Sequence, residues 1–179
     1  ISYLDSSASD LKYATNYSGS WVTETIDSEG YVGYYNSIAL GPSDKVHISY
    51  LDWSNYGIKY ATNISGAWAI QIVDDEKYIS QLSSRSIVID KDGNPHIACG
   101  NDHLYHVYHD GKIWNCETVD SLPSVGYNAS IASDSLGNLH ISYCDSPNLS
   151  LKYASNSIGT WTTQTIDSAG SVGLYSSID

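Results

Sequence analysis

One phrase occurs four times in the sequence, and this repetition restricts the fold more than any other feature. The phrase "HISYLDWSNYGIKYATN" begins at His47, and variants of it begin at Ile1, His96 and His140. Aligning the copies divides the chain into four units, residues 1–47, 48–96, 97–140 and 141–179. A repeat of about 40 to 50 residues is typical of propeller blades, solenoids and helical arrays. We therefore interpret the chain as a single repeat domain, residues 1–179.

The pattern inside each unit predicts strands. Apolar residues occur in short runs and form no helical stripe. Four strands, named a to d in order, are clearest as "YYNSIAL", "VHISYLD", "IKYATN" and "WAIQIVD". Turns such as "DKDGN" and "NISGAW" contain Gly with Asp or Asn, which supplies the positive φ of tight hairpins. The predicted fold is an all-β propeller with four repeats of a four-stranded antiparallel blade, in which strand a lines the axis.

The two ends of the chain predict how the first blade is completed. The sequence starts in strand b and stops on strand a. We expect "LYSSID", residues 174–179, to pair with "ISYLD", residues 1–5, and to cover the edge of that blade. One chain could close as a four-bladed ring, or two chains could pair head to tail as an eight-bladed homodimer. We favour a ring larger than four blades, formed by dimerisation or by a longer chain.

The c-to-d hairpins carry a family resemblance. "TNYSGSW" and "TNISGAW" place Gly before Trp, with Asn16 or Asn63 near the start of the motif. This arrangement resembles the Asp-box of sialidase-like propellers, with a spacing that is one or two residues shorter, and the units resemble propeller-lectin repeats. The resemblance implies a secreted protein with an extracellular or cell-surface location.

Charge and apolar content restrict the partners. The formal net charge is −12, from 20 acidic and 8 basic residues, which disfavours nucleic acid and anionic lipid. No run of 18 apolar residues occurs, so no membrane insertion is predicted. We expect the three cysteines to be small buried residues. They are Cys99, Cys116 and Cys144.

The sequence indicates neither an enzyme nor a metal site. The chain has one arginine, Arg85, whereas sialidase-like enzymes bind their substrate's carboxylate with an arginine cluster. His103, His106 and His109 follow one another in steps of three, so they do not share one face of a strand, and a zinc site is disfavoured. No cofactor is predicted. A glycosidase that uses two carboxylates stays open, since acidic residues are plentiful.

The most informative residues lie in the b-to-c and d-to-a loops, which share one face of the predicted ring. Trp53 stands out there because the other four Trp residues open strand d, where packing explains them. Aromatic planes beside acidic groups suit sugar rings, although several of the Tyr residues could instead pack between blades. The predicted ligand-binding residues are Tyr31, Tyr34, Asp52, Trp53, Tyr56, Tyr78, His103 and Tyr127.

These observations predict a non-catalytic, lectin-like binding module with a glycan or a protein as its ligand. Carbohydrate is the favoured ligand, because weak sites on a repeat protein can act together on a clustered glycan. Two other functions remain open. The same face could bind a polypeptide in a protein-interaction or structural repeat of a surface protein, or the chain could be a remnant of a glycan-processing enzyme.

Overall fold

The computed structural model describes residues 1–74, 82–83, 86–100 and 102–179. In these residues the regular structure is antiparallel strands and one turn of 3₁₀ helix at Pro42–Asp44. The first sheet has three strands, β1 (Ser2–Asp5), β2 (Asp10–Thr15) and β3 (Val22–Asp27). The second sheet has four strands, β4 (Tyr34–Leu40), β5 (Val46–Asp52), β6 (Gly57–Thr62) and β7 (Ala69–Asp74).

The third and fourth sheets repeat this arrangement. The third sheet consists of β8 (Ile87–Ile89), β9 (Pro95–Gly100), β10 (Leu104–His109) and β11 (Trp114–Asp120). The fourth sheet consists of β12 (Val125–Ser133), β13 (Leu139–Asp145), β14 (Ser150–Ser155) and β15 (Thr162–Asp167). Consecutive strands pair as hairpins within each sheet, so the predicted blade of strands a to d is confirmed.

The first strand of each four-stranded sheet faces a common axis, as predicted for strand a. A cavity of about 530 Å³ on this axis is lined by Tyr35, Asn36, Leu82, Ser83, Asn128, Tyr175, Ser176 and Ser177. A second cavity, of about 300 Å³, is bordered by residues of β4, β8 and β12 together with Ile178 and Asp179. The chain therefore folds as consecutive β-propeller blades around one axis.

The C-terminal residues 176–179 lie beside the fourth sheet. The hydroxyl of Ser176 is 3.1 Å from that of Ser142 in β13. Asn36 of β4 occupies the equivalent place beside the first sheet, where it accepts a hydrogen bond of 2.6 Å from Ser2. In the described part of the chain β1 pairs with β2 and not with this segment. The closing strand pair expected from the sequence therefore stays a prediction.

An apolar core fills each junction between neighbouring sheets. The core between the first and second sheets contains Leu11, Val32, Ile48, Tyr50 and Ala61, all fully buried. Similar cores lie between the second and third sheets and between the third and fourth sheets. Because each core is shared by two sheets, burial of apolar surface holds the blades against one another.

Three of the four strand d tryptophans pack as predicted. The indole N–H groups of Trp68, Trp114 and Trp161 each donate a hydrogen bond of 2.8 Å to the preceding sheet. The acceptors are Glu24, Gln71 and Glu117. The rings lie edge-on against Tyr13, Tyr60 and His106. Trp21 differs, with 62% of its surface exposed, because within the described residues no sheet packs in front of the first one.

The recurring Asp and Lys residues form buried clusters that connect neighbouring sheets. The ammonium of Lys59 is 3.2 Å from Asp52 in its own sheet and 3.0 Å from Asp27 in the preceding sheet. The hydroxyl of Tyr50 also donates to Asp27, at 2.7 Å. The third and fourth sheets share the equivalent cluster of Asp120, Tyr143 and Lys152. Each cluster therefore joins side chains of one sheet to an acid of the preceding sheet.

Cys99 and Cys144 are buried, as predicted, and Cys116 is half-buried. Among the described residues, no helix is long and apolar enough to cross a membrane. Within the same residues, no group of three or more His, Cys, Asp or Glu side chains is arranged to hold a metal ion.

Candidate ligand-binding site

Four of the predicted binding residues lie together on the loop face, and we call them the aromatic cluster: Tyr31, Tyr34, Trp53 and Tyr56. The ring centroid of Trp53 is 6.4 Å from that of Tyr34 and 6.1 Å from that of Tyr56, both in edge-to-face geometry. Such contacts hold aromatic rings in defined orientations. Tyr31 and Tyr56 are 63% and 47% exposed, while Trp53 is half-buried. The cluster therefore presents aromatic surface to solvent.

The loop between β3 and β4 connects the first sheet with the second and positions Tyr31. The amide of Val32 donates to the carbonyl of Ser9 in the first sheet, at 3.0 Å. The amide of Trp53 donates to the carbonyl of Tyr31 at 2.8 Å. The amide of Tyr31 donates to the hydroxyl of Ser54 at 2.7 Å. The aromatic cluster is thus fixed by backbone contacts at the junction of two sheets.

Gly33 allows this loop to approach the first sheet closely. Its φ is +84°, and a Cβ atom at this position would lie 2.8 Å from the Cα atom of Leu11. Gly173 has the same close approach to Leu151 in the fourth sheet. Only glycine satisfies both the backbone conformation and the available space. The junction beneath the aromatic cluster therefore depends on this residue.

Asp52 lies inside the protein and acts on the site through the loop that follows it. Its side chain is buried, with 1% of its surface exposed. Its carboxylate accepts hydrogen bonds from the amides of Ser54 and Asn55 at 2.9 and 3.2 Å, and from the Asn55 side chain at 2.9 Å. Asp52 therefore shapes the loop that carries Trp53 and Tyr56.

A cleft between the first and second sheets lies next to this loop, and we call it the inter-sheet cleft. Its volume is about 600 Å³, and its walls are Ile26, Asp27, Ser28, Glu29, Asn55, Lys59, Ile70 and Ile72. Ile70 and Ile72 are exposed. Asn55 precedes Tyr56 in the chain, so the cleft adjoins the aromatic cluster. The cleft combines apolar surface with carboxylate, amide and ammonium groups.

The inter-sheet cleft has more acidic than basic groups in its walls, and its one ammonium group, that of Lys59, forms an ion pair with Asp27. Burial alone would raise the pKa of Asp27, but hydrogen bonds from Glu29, Tyr50 and Lys59 outweigh it and hold the pKa below its ordinary value. Burial opposes the charge of Lys59, yet its bonds to Asp27 and Asp52 raise its pKa. The ammonium of Lys59 is therefore paired with two carboxylates, those of Asp27 and Asp52, and Glu29 adds a further acidic side chain to the wall of the cleft.

The inter-sheet cleft was not predicted from the sequence, although one signal was present. Ile70 and Ile72 replace residues that are Thr at the equivalent positions of the first and fourth sheets. A pair of exposed Ile residues in one copy indicates a local surface that the other copies lack. The walls of the cleft come from different sheets, so the repeat pattern alone could not place them together.

His103 and Tyr127 lie at a different junction, between the third and fourth sheets. The Nδ1 atom of His103 is 3.0 Å from the carboxylate of Asp102. Tyr127 is half-buried in β12, paired with Cys144. Neither residue belongs to the aromatic cluster. Tyr78, which was also predicted to bind ligand, lies outside the described residues.

The histidines of the third unit do not come together in one site. His106 is buried, with His96 at 2.9 Å and the carboxylate of Glu117 at 2.8 Å. Burial lowers the pKa of His106 to about 4. His103 is in the loop before β10, and His109 ends that strand. These three side chains therefore have different surroundings in the described structure.

The sequence matches no family model and no curated protein. Solved structures with a similar fold do exist. One is AofleA from Arthrobotrys oligospora, at 16% identity and a TM-score of 0.65, covering 92% of this chain and 51% of that one. Another is a mutant of the Aleuria aurantia lectin in complex with Fucα1-6GlcNAc, at 18% identity and a TM-score of 0.61, covering 90% of this chain and 55% of the lectin.

A chain from a nidogen/laminin complex is also similar, at 15% identity and a TM-score of 0.55, covering 93% of this chain and 61% of that one. The 179-residue chain spans about half the length of the first two structures. At these identities the comparisons establish the fold alone.

Proposed function

We propose that this protein is a non-catalytic carbohydrate-binding module whose ligand occupies the aromatic cluster and the inter-sheet cleft. The observation that carries the proposal is the contact between Trp53, Tyr34 and Tyr56 beside a cleft with polar walls. The C–H face of a sugar ring packs on an aromatic plane. Its hydroxyl groups bond to carboxylate and amide side chains, here those of Glu29 and Asn55.

The fold comparison supports this ligand class. The Aleuria aurantia lectin has a similar fold and was solved with Fucα1-6GlcNAc. That disaccharide is neutral and is therefore a suitable first probe for this protein. An extracellular or cell-surface location belongs to the same proposal, because glycans of this kind are displayed there.

The charge of the site favours a neutral glycan over a sialylated or sulfated one. Asp27, Asp52 and Glu29 are close to the cleft, whereas Lys59 already forms ion pairs with two of these carboxylates. An anionic sugar would meet negative potential without an available cation. We expect binding to neutral glycans and little binding to their sialylated forms.

A glycan array followed by calorimetry tests the proposal, with variants that remove one ring at a time. Trp53→Ala and Tyr56→Ala should weaken binding by about 1 to 3 kcal/mol, which is about 5- to 150-fold in the dissociation constant. Tyr17→Ala is the matched control, because Tyr17 is 95% exposed in the β2–β3 turn, outside the site. The control should bind with unchanged affinity.

Two results would contradict the proposal. One is a glycan array without any binding. The other is glycan binding that survives the Trp53→Ala and Tyr56→Ala substitutions, which would place the ligand elsewhere. Thermal unfolding of each variant distinguishes lost contacts with the ligand from a damaged fold.

The second candidate is a protein-interaction module that uses the same surface. The similar fold of a chain from the nidogen/laminin complex supports this alternative, since that structure contains two protein partners. Exposed aromatic residues such as Tyr31 are also common in protein interfaces. Binding to a deglycosylated protein partner, together with an empty glycan array, would favour this function.

A further inference from the structure

The row of sheets ends in two outward faces that carry the two halves of one recurring contact. We call the outward face of the first sheet the leading face: Tyr3, Lys12 and Trp21. We call the outward face of the fourth sheet the trailing face: Tyr153, Gln164 and Asp167. Each residue of these faces has an equivalent at the junctions inside the chain, and those junctions show what each one contacts.

The tryptophan contact is the first part of this template. At each internal junction, the Trp indole of one sheet donates a hydrogen bond to a Glu or Gln of the preceding sheet. The indole also packs on the Tyr or His ring that lies opposite this Glu or Gln on the neighbouring strand. On the trailing face, Tyr153 pairs with Gln164 in the same register as Tyr60 with Gln71. Trp21 on the leading face is largely exposed. The leading face thus has the Trp, and the trailing face has its acceptor and ring.

The buried acid is the second part of the template. Asp27 accepts the amide of Glu29 on its Oδ1 atom, and Oδ2 accepts Tyr50 and Lys59 of the following sheet. On the trailing face, Oδ1 of Asp167 likewise accepts the amide of Ala169, at 2.8 Å, and the side chain is exposed.

The leading face carries the donors that match this acid. Tyr3 pairs with Lys12 across β1 and β2 in the register of Tyr50 and Lys59. Lys12 is positively charged and only partly exposed, in contact with Asp5 of its own sheet. Lys59 forms the equivalent ion pair with Asp52 of its own sheet and a second ion pair with Asp27 of the preceding sheet. The charge and the register of the leading face therefore complement Asp167.

The C-terminal segment is the third part. Ser176 lies against Ser142 of the fourth sheet, as Asn36 of β4 lies against Ser2 of the first sheet. Residues 176–179 therefore occupy the place of an inner strand for a sheet that would follow the fourth. In the described residues β1 pairs on one side only, with β2, so its other edge can accept such a strand.

We propose that the chain self-associates head to tail, with the trailing face of one copy receiving the leading face of a second copy. Trp21 of the second copy donates to Gln164 and packs on Tyr153. Tyr3 and Lys12 bond to Asp167, and residues 176–179 pair with β1. A second copy is the fitting occupant because it has the required residue at every position of the template.

Sedimentation or light scattering of the 179-residue chain at tens of micromolar tests this interface. We expect a particle mass above the 19.5 kDa of one chain. Trp21→Ala should raise the dissociation constant by about 30-fold or more, because a central aromatic residue dominates such contacts. The circular dichroism spectrum should not change, since the side chain is exposed in a single chain. Tyr17→Ala, in the same turn region, should leave the association unchanged.

A pair of charge reversals tests the register of the contact. Asp167→Lys damages the trailing face and Lys12→Glu damages the leading face, so each variant alone should associate weakly. Mixing the two variants restores one unmodified interface, and the mixture should contain mixed oligomers. The proposal is overturned by a monomeric unmodified chain, by association that tolerates Trp21→Ala, or by the absence of mixed oligomers from that mixture.

Discussion

Asp27→Ala tests whether the buried clusters hold neighbouring sheets together. Asp27 is almost completely buried in β3. Its carboxylate accepts hydrogen bonds from the Tyr50 hydroxyl at 2.7 Å and from the Lys59 ammonium at 3.0 Å. Both donors belong to the second sheet, so the substitution removes a polar connection between two sheets.

The expected loss follows from the groups that remain. A buried donor left without an acceptor costs about 1 to 3 kcal/mol, which applies to the fully buried Tyr50. Breaking a buried ion pair costs about 3 to 5 kcal/mol. Lys59 keeps Asp52 at 3.2 Å, which reduces the second contribution. We expect the free energy of unfolding to fall by about 3 to 4 kcal/mol.

Urea unfolding at neutral pH measures this loss, with Asp92→Ala as control. Asp92 forms an exposed pair with Lys91, so its removal should cost less than about 0.5 kcal/mol. Adding Lys59→Met to Asp27→Ala should lower the stability further, because it leaves the buried carboxylate of Asp52 without its ammonium partner. Equal stability of Asp27→Ala and Asp92→Ala would refute the reasoning.

The pKa of Asp27 adds a test by pH. Because the pKa is lower in the folded state, the cluster stabilises the protein above the ordinary Asp pKa of about 4. This stabilisation is lost as the pH falls through the folded-state pKa. The difference between the unmodified chain and Asp27→Ala should therefore shrink in acid, and a constant difference would contradict the assignment.

Three further predictions concern packing and burial. Trp68→Ala should lower the free energy of unfolding by about 2 to 4 kcal/mol, because it removes the contact with Tyr13 at the sheet junction, and chemical denaturation measures this. Gly33→Ala should cost about 3 kcal/mol or more and Gly19→Ala about 1 kcal/mol, because an added Cβ would meet the backbone of Leu11 at position 33 and nothing within 4 Å at position 19. Equal losses would argue against the close approach at Gly33. His47 is buried, and burial lowers its pKa to about 4 because the folded state favours the neutral imidazole. The contribution of neutral His47 to the stability of the fold is therefore complete above pH 6.5 and is lost as the pH falls toward 4. A His47→Gln variant should lack this part of the acid sensitivity in melting curves.

The strands could be predicted because their causes are local. In the second sheet the predicted strands correspond to β4, β5, β6 and β7 within one or two residues at each end. Alternating apolar residues and Gly-containing turns specify a hairpin between neighbours in the chain, and a repeated unit specifies repeated sheets. The aromatic cluster could be predicted in part for the same reason, since Trp53 breaks the placement shared by the other tryptophans.

Contacts between sheets required the tertiary structure. The bond of Lys59 to Asp27 and that of Trp68 to Glu24 join residues 32 and 44 positions apart. Their existence depends on the angle and offset between two sheets, which no pattern within a strand encodes. The packing of one sheet on the next also determines three features of the site and its surroundings. These are the burial of Asp52, the walls of the inter-sheet cleft and the exposure of Trp21. The sequence by itself determined the blades and their order, and the packing of one blade on the next decided which of their residues face a ligand, a neighbouring sheet or solvent.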